Sequence, residues 1–450
     1  MKKLYIKTYG CQMNVYDSER MIDILKPLGF EISDDPAEAD MAILNTCHIR
    51  EKAEQKVYSD LGRLRQHQTN RQQEQKELFI AVTGCVAQAE GAEIFRQAPY
   101  VSMVLGPQTY HRLPEMIAKM HRSTDKRTGP GRGIIDVDFP SEAKFDSLPL
   151  TQETRVSAFL TVQEGCDKFC SFCCVPYTRG AEFSRPAADI LKEAKHLVKQ
   201  GATEITLLGQ NVNAYHGQTP QGQGTWGLGD LIQELALIEG LKRIRYTTSH
   251  PIDMADDLMQ AHAHVPQLMP YLHLPVQSGS DTVLKAMNRH HTIAHYKEVI
   301  AKLRALQPAM AFSSDFIVGH PGETDQDFEE TLTLVRDITY AQAYSFKYSP
   351  RPGTPAATEQ QIPETIKAAR LAVLQELLNE QQLTFNKSKI GTIQSVLLDR
   401  QGRQAGQFIG RSPYMQSVHV EAKPRLWGQI VDVAIDGAKP NSLSGTIVTQ

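Results

Sequence analysis

Three short apolar runs in the first part of the chain alternate with amphipathic stretches. The runs KLYIKTY, DMAILNT and LFIAVTG have the almost continuous apolar character of strands that are buried on both faces of a parallel sheet. The stretches between them have the mixed pattern of helices that cover such a sheet. We therefore predict an α/β fold for residues 1–121, built as an open sheet of successive strand–helix units.

Each of these three predicted strands leads directly into a cysteine, and the three are Cys11, Cys47 and Cys85. Ligands of open α/β sheets bind beyond the carboxyl ends of the strands. A lone cysteine is usually a small buried hydrophobic residue. Three cysteines in equivalent positions instead indicate a shared thiol site at one edge of the sheet.

The strand–helix rhythm resumes after residues 122–151, a polar stretch broken by glycine and proline that predicts a linker. It then repeats six times, with the candidate strands RVSAFLTV, TEITLLG, KRIRYTTS, LMPYLHLPV, MAFSSDFIVG and AQAYSFKYS. An amphipathic helix between the first two begins at Pro186 and ends near Gly201. Six units are two short of a closed eight-fold barrel. We predict a partial, open (β/α)6 barrel over residues 152–384.

The pattern changes again in the last part of the chain, residues 385–450. Alternating runs predict five short strands of a small all-β barrel, like those that bind oligonucleotides: TIQSVLLD, GQFIGRS, QSVHVE, GQIVDVAIDG and SGTIV. From Asn386 to Gln450 there are eight Lys and Arg against four Asp and Glu, and 8 − 4 gives a net charge of +4. An RNA-binding module is expected to have such a local basic surface. A solvated face with a mild excess of basic residues accounts for the charge equally well.

Composition limits the class of protein. The chain has 450 residues, 41% of them hydrophobic and 22% charged, which suits a soluble protein of several domains. Its net charge of −3 gives no overall attraction to nucleic acid or membrane, so any RNA-binding surface must be local. The N-terminal stretch lacks the apolar core of a signal peptide, and no apolar run is long enough to span a bilayer. We expect a cytoplasmic monomer with no membrane partner.

Four of the seven cysteines lie within nine residues of the stretch EGCDKFCSFCCVPYTRG, directly after the first predicted barrel strand. Cytoplasmic thiols stay reduced, so clustered cysteines indicate metal binding or catalysis before disulfides. Structural zinc usually takes two separated ligand pairs, and no second pair follows here. Tight runs of thiolates are typical of iron–sulfur clusters. Three thiolates on a four-iron cluster leave one iron open to a small molecule, and Phe172 is positioned to pack against an attached base.

The ligand set within this loop depends on two adjacent cysteines. The side chains of Cys173 and Cys174 should diverge in an extended or turn conformation. Cys166, Cys170 and Cys173 form the compact C-x3-C-x2-C set, which leaves Cys174 as a spare thiol. In the alternative, Cys174 closes the cluster as a fourth ligand, and the site would serve electron transfer.

This loop and seven other motifs resemble the methylthiotransferase family of radical S-adenosylmethionine (SAM) enzymes. In chain order the motifs are TYGCQMNVYDSERM, NTCHIREKAEQKV, GCVAQ, EGCDKFCSFC, PYTRGAEFSRP, LLGQNVNAY, HLPVQSGS and DFIVGHPGE. The family has an N-terminal methylthiotransferase domain, a radical SAM core and a C-terminal TRAM domain, in the order predicted above. Two positions depart from its pattern: Cys174 replaces an apolar residue, and GRSPYMQSVHVE differs from the commoner sequence of the last domain.

The resemblance implies two [4Fe-4S] clusters, one held by Cys166, Cys170 and Cys173 and an auxiliary one held by Cys11, Cys47 and Cys85. One SAM would methylate a sulfur of the auxiliary cluster, and another would be cleaved to a 5′-deoxyadenosyl radical. The methylthio group would pass to carbon 2 of an isopentenylated adenosine at tRNA position 37. The implied partners are the tRNA anticodon stem-loop, an electron donor such as a flavodoxin or ferredoxin, and a sulfur source.

Other readings of the substrate and class stay open at this point. A related methylthiotransferase would act on threonylcarbamoyladenosine in tRNA or on an aspartate of a ribosomal protein. An iron–sulfur electron carrier, or a zinc-bearing RNA-binding module without catalysis, belongs to a different class. Three cysteines at each site, rather than four, argue against these last two.

Further candidates for SAM contacts lie at the carboxyl ends of later strands. Polar side chains suit the methionine and ribose ends of SAM, and glycines let the backbone approach the adenine. The candidates are Gly209, Gln210, Asn211, Ser249, His250, Gln277, Gly319 and Gly322. Ordinary loop capping is an equally good explanation for His250 and Gln277.

Four basic side chains complete the set of candidates. Arg179 and Arg185 suit the SAM carboxylate or an RNA phosphate, and pairing with acidic neighbours explains them comparably well. His290 and His291 have no partner at metal-ligand spacing. We expect both histidines at the surface.

Overall fold

The computed structural model describes residues 1–47, 51–122, 133–140, 144–151 and 153–448. The chain packs as two compact units. The first comprises Met1–Glu153, Glu164–Asp167 and Cys174–Glu182. The second comprises Thr154–Gln163, Lys168–Cys173 and Phe183–Gln450.

The first unit is built on a six-stranded sheet with every neighbouring pair parallel. Its strands are β1 (Lys2–Thr8), β2 (Phe30–Ile32), β3 (Met41–Thr46), β4 (Phe79–Gly84), β5 (Met103–Leu105) and β6 (Ile134–Asp136), in the order β2-β1-β3-β4-β5-β6. The helices are α1 (Gln12–Leu25), α2 (Glu51–Gln73), α3 (Cys85–Glu90), α4 (Glu93–Gln97), α5 (Leu113–Arg122) and α6 (Val175–Arg179). The three apolar runs form β1, β3 and β4, which confirms the predicted α/β sheet.

Strand β3 buries apolar side chains on both faces of the sheet, so helices are needed on both sides. Its alternate residues Met41 and Ile43 pack in a core with residues of α1 and α5. Ala42 and Leu44 point the other way, into a core with residues of α2, α3 and α4. All four side chains are almost completely buried, so the strand reads as a continuous apolar run.

The predicted linker contributes to the same sheet where the structure describes it. Residues 134–136 form β6 and pair in parallel with β5. Lys144 is buried at 2% exposure. Residues 123–132, 141–143 and 152 lie outside the described ranges.

The second unit contains the six predicted barrel strands. They are β7 (Ser157–Thr161), β10 (Glu204–Leu208), β13 (Arg243–Tyr246), β14 (Tyr271–His273), β15 (Ala311–Val318) and β16 (Gln342–Lys347). They form two three-stranded parallel sheets, connected by a parallel bridge between Ile244 and Leu268. Chain order is kept across the strands, which confirms the partial (β/α)6 barrel.

Shorter strands and seven helices complete the barrel region. The short strands are β8 (Gln163–Glu164), β9 (Phe183–Ser184), β11 (Gly217–Gln218) and β12 (Thr225–Trp226). The helices are α7 (Ala187–Lys199), α8 (Leu228–Ala236), α9 (Asp256–His264), α10 (Asp281–Ala286), α11 (Ile293–Leu306), α12 (Asp325–Ile338) and α13 (Glu364–Lys387). Within the described ranges, every helix is too short or too polar to cross a membrane.

The last five strands close into a small barrel within the second unit, as predicted. They are β17 (Ile393–Gln401), β18 (Gln407–Arg411), β19 (Ser417–Glu421), β20 (Ile430–Lys439) and β21 (Ser442–Ile447), in the order β17-β18-β19-β21-β20. Their alternate residues, such as Val396, Phe408 and Val433, fill its core.

Two buried arginines of β13 dock this small barrel onto the larger one. Arg243 donates to the carbonyl oxygens of Ser395 and Arg411, at 2.7 and 2.8 Å. Arg245 donates to the carbonyls of Ser412 and Pro413, each at 2.8 Å. Their side chains lie on the face of β13 opposite Ile244, which packs in the main core. A strand with charged residues at alternate positions is therefore buried on both faces.

Buried His262 in α9 should make folding of the second unit depend on pH. The hydroxyl of Tyr246 lies 2.7 Å from Nε2 of His262, and burial lowers the pKa of His262 to about 3. The unfolded chain, with a histidine pKa of about 6.5, binds a proton that the folded chain excludes. Stability from this group is therefore complete above pH 6.5 and falls by about 1.4 kcal/mol for each pH unit below it.

Urea unfolding at about pH 7.5 and about pH 5.5 checks this expectation. The protein with His262→Gln should lose about 1.4 kcal/mol less stability between the two conditions than the unaltered protein. The glutamine keeps an acceptor for Tyr246 but does not titrate. An equal loss in both proteins would show that His262 is protonated in the folded state.

Candidate functional site

Cys11, Cys47 and Cys85 follow β1, β3 and β4, and the strand order reverses between β1 and β3. Open α/β sheets bind ligands at such a reversal. Gly10, at φ +92°, lets the first two loops touch: a Cβ there would lie 2.2 Å from Cβ of Cys47 and 2.3 Å from its Sγ. The structure brings these thiol-bearing strand ends together, as the sequence predicts.

Two buried asparagines hold the strand ends in place. Asn14 donates to the carbonyls of Tyr9 and Thr46, at 2.8 and 2.9 Å, and so bridges the ends of β1 and β3. Asn45 donates to the carbonyl of Asn14 at 2.8 Å and to Oγ of Ser18 at 2.9 Å. These bonds replace the water that buried backbone carbonyls would otherwise need.

A buried network of two cations and two anions lies beside the thiols. Arg179 in α6 donates to Oε1 of Glu164 at 2.8 Å and to Oδ2 of Asp17 at 2.7 Å. Lys144 contacts the same two carboxylates at 2.7 and 3.5 Å. Each of the four side chains is at most 3% exposed, so the charges must balance within the network. The structure thus supports structural pairing with acidic neighbours as the role of Arg179.

The network acts on the cysteines through α6, which packs against α3. A hydrogen bond with Cys47 lowers the pKa of Cys11 to about 6, and the charge of Arg179 acts in the same direction. Burial raises the pKa of Cys85, while Arg179 and Thr178 act against that rise. A nearby guanidinium favours thiolates, which are the form that binds metal. The donor set therefore suits a thiolate-bound iron–sulfur cluster.

Within the described ranges, no group of three His, Cys, Asp or Glu side chains is placed so that it could hold a single metal ion. An iron–sulfur cluster does not require that arrangement, because each thiolate binds its own iron. The role of Cys11, Cys47 and Cys85 as cluster ligands stays a prediction.

The second cysteine site is the loop between β8 and α6. Sγ of Cys170, which is 8% exposed, lies 3.8 Å from Nη1 of the buried Arg289. The guanidinium can donate to a thiolate there. The N–H of Cys173 donates to the carbonyl of Cys170 at 3.0 Å, which makes a tight turn. Cys166 donates its N–H to the carbonyl of Gly180 at 3.2 Å.

Contacts with the segment around α10 fix the part of this loop from Lys168 to Cys173. The N–H of Ser171 donates to the carbonyl of Met287 at 3.0 Å. Its hydroxyl donates to the carbonyl of Ala286 at 2.8 Å. Asn288 donates to the carbonyl of Phe169 at 2.9 Å. Phe172, the residue predicted to pack against a base, is half-buried. A short loop with no regular structure thus has a defined shape.

Cys173 and Cys174 take different local roles. The carbonyl of Cys174 accepts the N–H groups of Tyr177 and Thr178, at 3.1 and 3.0 Å, so this residue caps the start of α6. Its side chain is buried, at 8% exposure, whereas that of Cys173 is half-buried. The choice of Cys166, Cys170 and Cys173 as ligands stays a prediction that these roles favour.

The candidate SAM residues after β10 and β13 present buried polar atoms. Oε1 of Gln163 accepts the N–H groups of Gln210 and Asn211, at 2.8 and 3.0 Å. Glycine is required at position 209, because the Cβ of any other residue would lie 2.5 Å from the same oxygen and clash with it. Oδ1 of Asn211, Oγ of Ser249 and Nε2 of His250 are buried without a partner among the described residues. Such atoms at neighbouring strand ends suit a polar ligand.

The remaining SAM candidates shape the backbone at the next two strand ends. Gln277 has φ +77° and pairs through its backbone with Asp315 and Ile317 of β15. Gly319 has φ +74°, and its N–H donates to the carboxylate of Glu323 at 3.0 Å. Gly322 also has a positive φ, of +85°. Their contacts with SAM stay predictions.

The other basic candidates have structural partners or positions. Arg185 donates to the carbonyl of Thr161 at 2.6 Å and to Glu193 at 2.7 Å, so pairing within the fold accounts for it. His290 is exposed, as expected. The expectation for His291 was wrong: it is 7% exposed, because its ring packs against the rings of His250 and Tyr296.

Sequence reasoning missed the residues that surround the cysteines. Asp17 and Glu164 lie within motifs of the family resemblance and Lys144 within the predicted linker, but none of the three was predicted as a site residue, because their partners are distant in the chain. Arg289 stands in the polar run NRHHT, which reads as surface. Asn14 lies in the first motif of the family resemblance, but its bridging of two strands depends on the fold.

Comparisons with known proteins identify the family of this chain. Family models match residues 3–106 (Uncharacterized protein family UPF0004), 160–335 (Radical SAM superfamily) and 387–448 (TRAM domain). A tRNA-2-methylthio-N(6)-dimethylallyladenosine synthase from Maricaulis maris (strain MCS10) is 57% identical over 451 residues, covering 99% of this chain and 97% of the relative. This chain belongs to the methylthiotransferase family of radical SAM enzymes. As a radical SAM enzyme, this methylthiotransferase uses a [4Fe-4S] cluster and SAM.

Two solved structures share the fold of this methylthiotransferase. The radical SAM methyltransferase TsrM from Kitasatospora setae, with cobalamin and a [4Fe-4S] cluster bound, gives a TM-score of 0.55 at 14% identity, covering 79% of this chain and 77% of TsrM. The cobalamin-dependent radical SAM enzyme OxsB gives 0.53 at 11% identity, covering 84% and 56%. At these identities the likeness shows the fold alone.

Proposed function

We propose that this methylthiotransferase adds a methylthio group to carbon 2 of isopentenylated adenosine at position 37 of tRNA. The observation that carries the proposal is similarity over 99% of the chain to a relative named for that reaction. The thiols gathered at the ends of β1, β3 and β4 support it, because a sulfur-inserting enzyme needs a second site besides the radical SAM loop.

The residues described above suit two clusters. Cys166, Cys170 and Cys173 would hold the cluster that works with SAM, and Cys11, Cys47 and Cys85 would hold an auxiliary cluster. When bound, the first group supplies the electron that cleaves SAM, and the second supplies the sulfur that is transferred.

The protein side chains provide charge balance, orientation and exclusion of water. Nη1 of Arg289 donates toward Sγ of Cys170. The buried Arg179 does the same for the other site while keeping its own charge paired. The polar atoms of Asn211, Ser249 and His250 would orient SAM. A radical reaction needs its reactants held in position.

The small barrel presents an exposed basic and aromatic patch that supports an RNA partner. Arg403, Lys423 and Arg425 are exposed, and Trp427 is 43% exposed. The N–H of Ala422 bonds to the carbonyl of Gly406 at 3.0 Å, which brings the turn that bears Arg403 close to Lys423. Positive side chains beside an exposed aromatic ring suit single-stranded RNA.

The remaining parts of the proposal follow from the reaction. A tRNA substrate places the protein in the cytoplasm, where an electron donor such as a flavodoxin or ferredoxin and a sulfur source must supply it. We propose residues 1–121 as the methylthiotransferase domain, 122–151 as the linker, 152–384 as the radical SAM core and 385–450 as the TRAM domain, in a monomer.

Deletion of the gene, followed by mass spectrometry of tRNA nucleosides, tests the substrate. The methylthio group should disappear and isopentenyladenosine should accumulate, since the isopentenyl group is added independently. Restoring the intact protein should restore the methylthio group. If methylthio-isopentenyladenosine persists while the methylthio form of threonylcarbamoyladenosine or of a ribosomal-protein aspartate is lost, the assigned substrate is wrong.

A further inference from the structure

A pocket of about 570 Å³ lies between α10 and the start of α11 in the second unit. In a β/α barrel the helices run antiparallel to the strands, so the first residue of α11, Ile293, lies on the side of the strand carboxyl ends. Ile252, which follows β13, also lines the pocket. Asn288, another lining residue, holds the cysteine loop through the carbonyl of Phe169. The pocket is therefore on the active face, beside that loop.

The pocket lining is basic. It carries two cations, Lys285 and Arg289, against one acid, Asp281, and three histidines, His290, His291 and His295, complete its ionisable groups. Oδ1 of Asp281 accepts the N–H of Ile293 at 2.7 Å, so its charge is directed at the start of α11. Lys285 and His290 are exposed and accessible to a ligand. The balance of charge favours an anion.

Two buried side chains of the pocket have polar atoms without a partner among the described residues. Arg289, 5% exposed, contacts Cys170 and the carbonyl of Pro275 through its Nη atoms, while its Nε has no partner. It offers a donor. A buried polar atom needs a partner, which a bound ligand or an ordered water can supply.

His291 offers an acceptor. Its Nδ1 lies 2.9 Å from the carbonyl oxygen of Arg289, which can only accept, so Nδ1 carries the proton. Nε2 therefore has the lone pair, and it has no partner among the described residues. Burial lowers the pKa of His291 to about 4, so the ring is neutral at pH 7.

We infer that this pocket binds one backbone unit of the RNA substrate, with the phosphate at Lys285 and Arg289 and a ribose 2′-hydroxyl at Nε2 of His291. A phosphodiester group alone brings only acceptors and leaves His291 unpaired. A ribonucleotide brings both acceptor oxygens and a hydroxyl donor. The volume is within the range of small-ligand sites. The inference rests on the proposed function, because it needs RNA as the substrate.

Binding of an isopentenylated anticodon stem-loop to the full-length, cluster-loaded protein tests the phosphate contact. Lys285→Ala should weaken binding about tenfold, because a charge-assisted hydrogen bond is lost. It should also reduce the slope of log K against log salt by about 0.7. The matched control is Lys302→Ala, in the same region of the chain on α11, where the exposed lysine pairs with Asp256. The control should keep both values.

The 2′-hydroxyl contact needs a second pair of measurements. The unaltered protein should prefer the ribose stem-loop over versions with single 2′-deoxy substitutions in the loop, and one position should account for most of the preference. His291→Phe keeps a ring but removes the acceptor, and it should abolish that preference. Iron content and thermal unfolding confirm that this variant is folded.

The outcomes separate this inference from the proposed function. If the unaltered protein modifies the RNA but Lys285→Ala binds it with unchanged affinity and salt slope, the pocket inference is overturned. A folded His291→Phe protein that keeps the full 2′-hydroxyl preference overturns it as well. If the unaltered protein neither binds nor modifies the RNA, the proposed function itself fails.

Discussion

Replacing Cys170 with alanine should abolish reductive cleavage of SAM. The site has three predicted thiolate ligands, so each replacement removes one of the three bonds between the protein and the cluster. The loss should exceed the 10- to 100-fold effect that is typical of residues behind the ligands. Cys166→Ala and Cys173→Ala should behave in the same way.

Cys174→Ala is the matched control, because Cys174 follows the predicted ligand Cys173 directly and caps α6. It should keep full iron content and most SAM cleavage, with a modest loss from packing of the buried thiol. Iron analysis and electron paramagnetic resonance of the reduced cluster give the answer. The background should lack Cys11, Cys47 and Cys85, so that only one cluster contributes.

Two results would contradict the ligand assignment. Loss of the cluster in Cys174→Ala, with retention in Cys173→Ala, would move the ligand register by one residue. A requirement for both cysteines would close the cluster with four protein ligands. No iron would then be free to bind SAM, and the proposed radical reaction would fail.

Arg179→Met should destabilise the first unit by about 3–5 kcal/mol. The change leaves the buried carboxylates of Asp17 and Glu164 with Lys144 as their only cation in the network. It also removes the guanidinium that favours thiolates at Cys11 and Cys85. Thermal and urea unfolding should show the lower stability, and iron analysis should show poorer loading of the auxiliary site.

Arg63→Met is the control for this change. Arg63 also pairs with an aspartate of the first unit, Asp60, but its side chain is 71% exposed. Its replacement should change stability by less than about 0.5 kcal/mol. Equal stability of Arg179→Met and Arg63→Met proteins would show that the buried network contributes nothing as a charged unit.

The strands could be predicted because their apolar runs are local and continuous. The run preceding Cys47 forms β3, and its end faces the edge where parallel sheets place ligands. Strand β6 within the predicted linker could not be predicted, because three residues, IID, carry too little pattern. The fold class and the meeting of the strand ends at Cys11, Cys47 and Cys85 thus follow from the sequence alone.

Features that depend on distant pairing could not be predicted. Arg179 and Asp17 are 162 positions apart, so no local pattern indicates their contact. Arg243 and Arg245 alternate with apolar residues as on a solvated strand, yet both are buried by the small barrel. His291 looked exposed for the same reason, since burial is decided by which elements pack over a residue.

The docking of the small barrel has a consequence for how this protein can diverge. Arg243 and Arg245 bind main-chain carbonyls at residues 395 and 411–413, and every amino acid provides a carbonyl. The attachment therefore depends on the shape of those loops and places little restriction on side chains elsewhere in the barrel. Substitutions outside these anchoring loops can accumulate without loosening it. The exposed surface of the small barrel, including the basic patch proposed to bind RNA, is thus free to change while its anchorage stays constant.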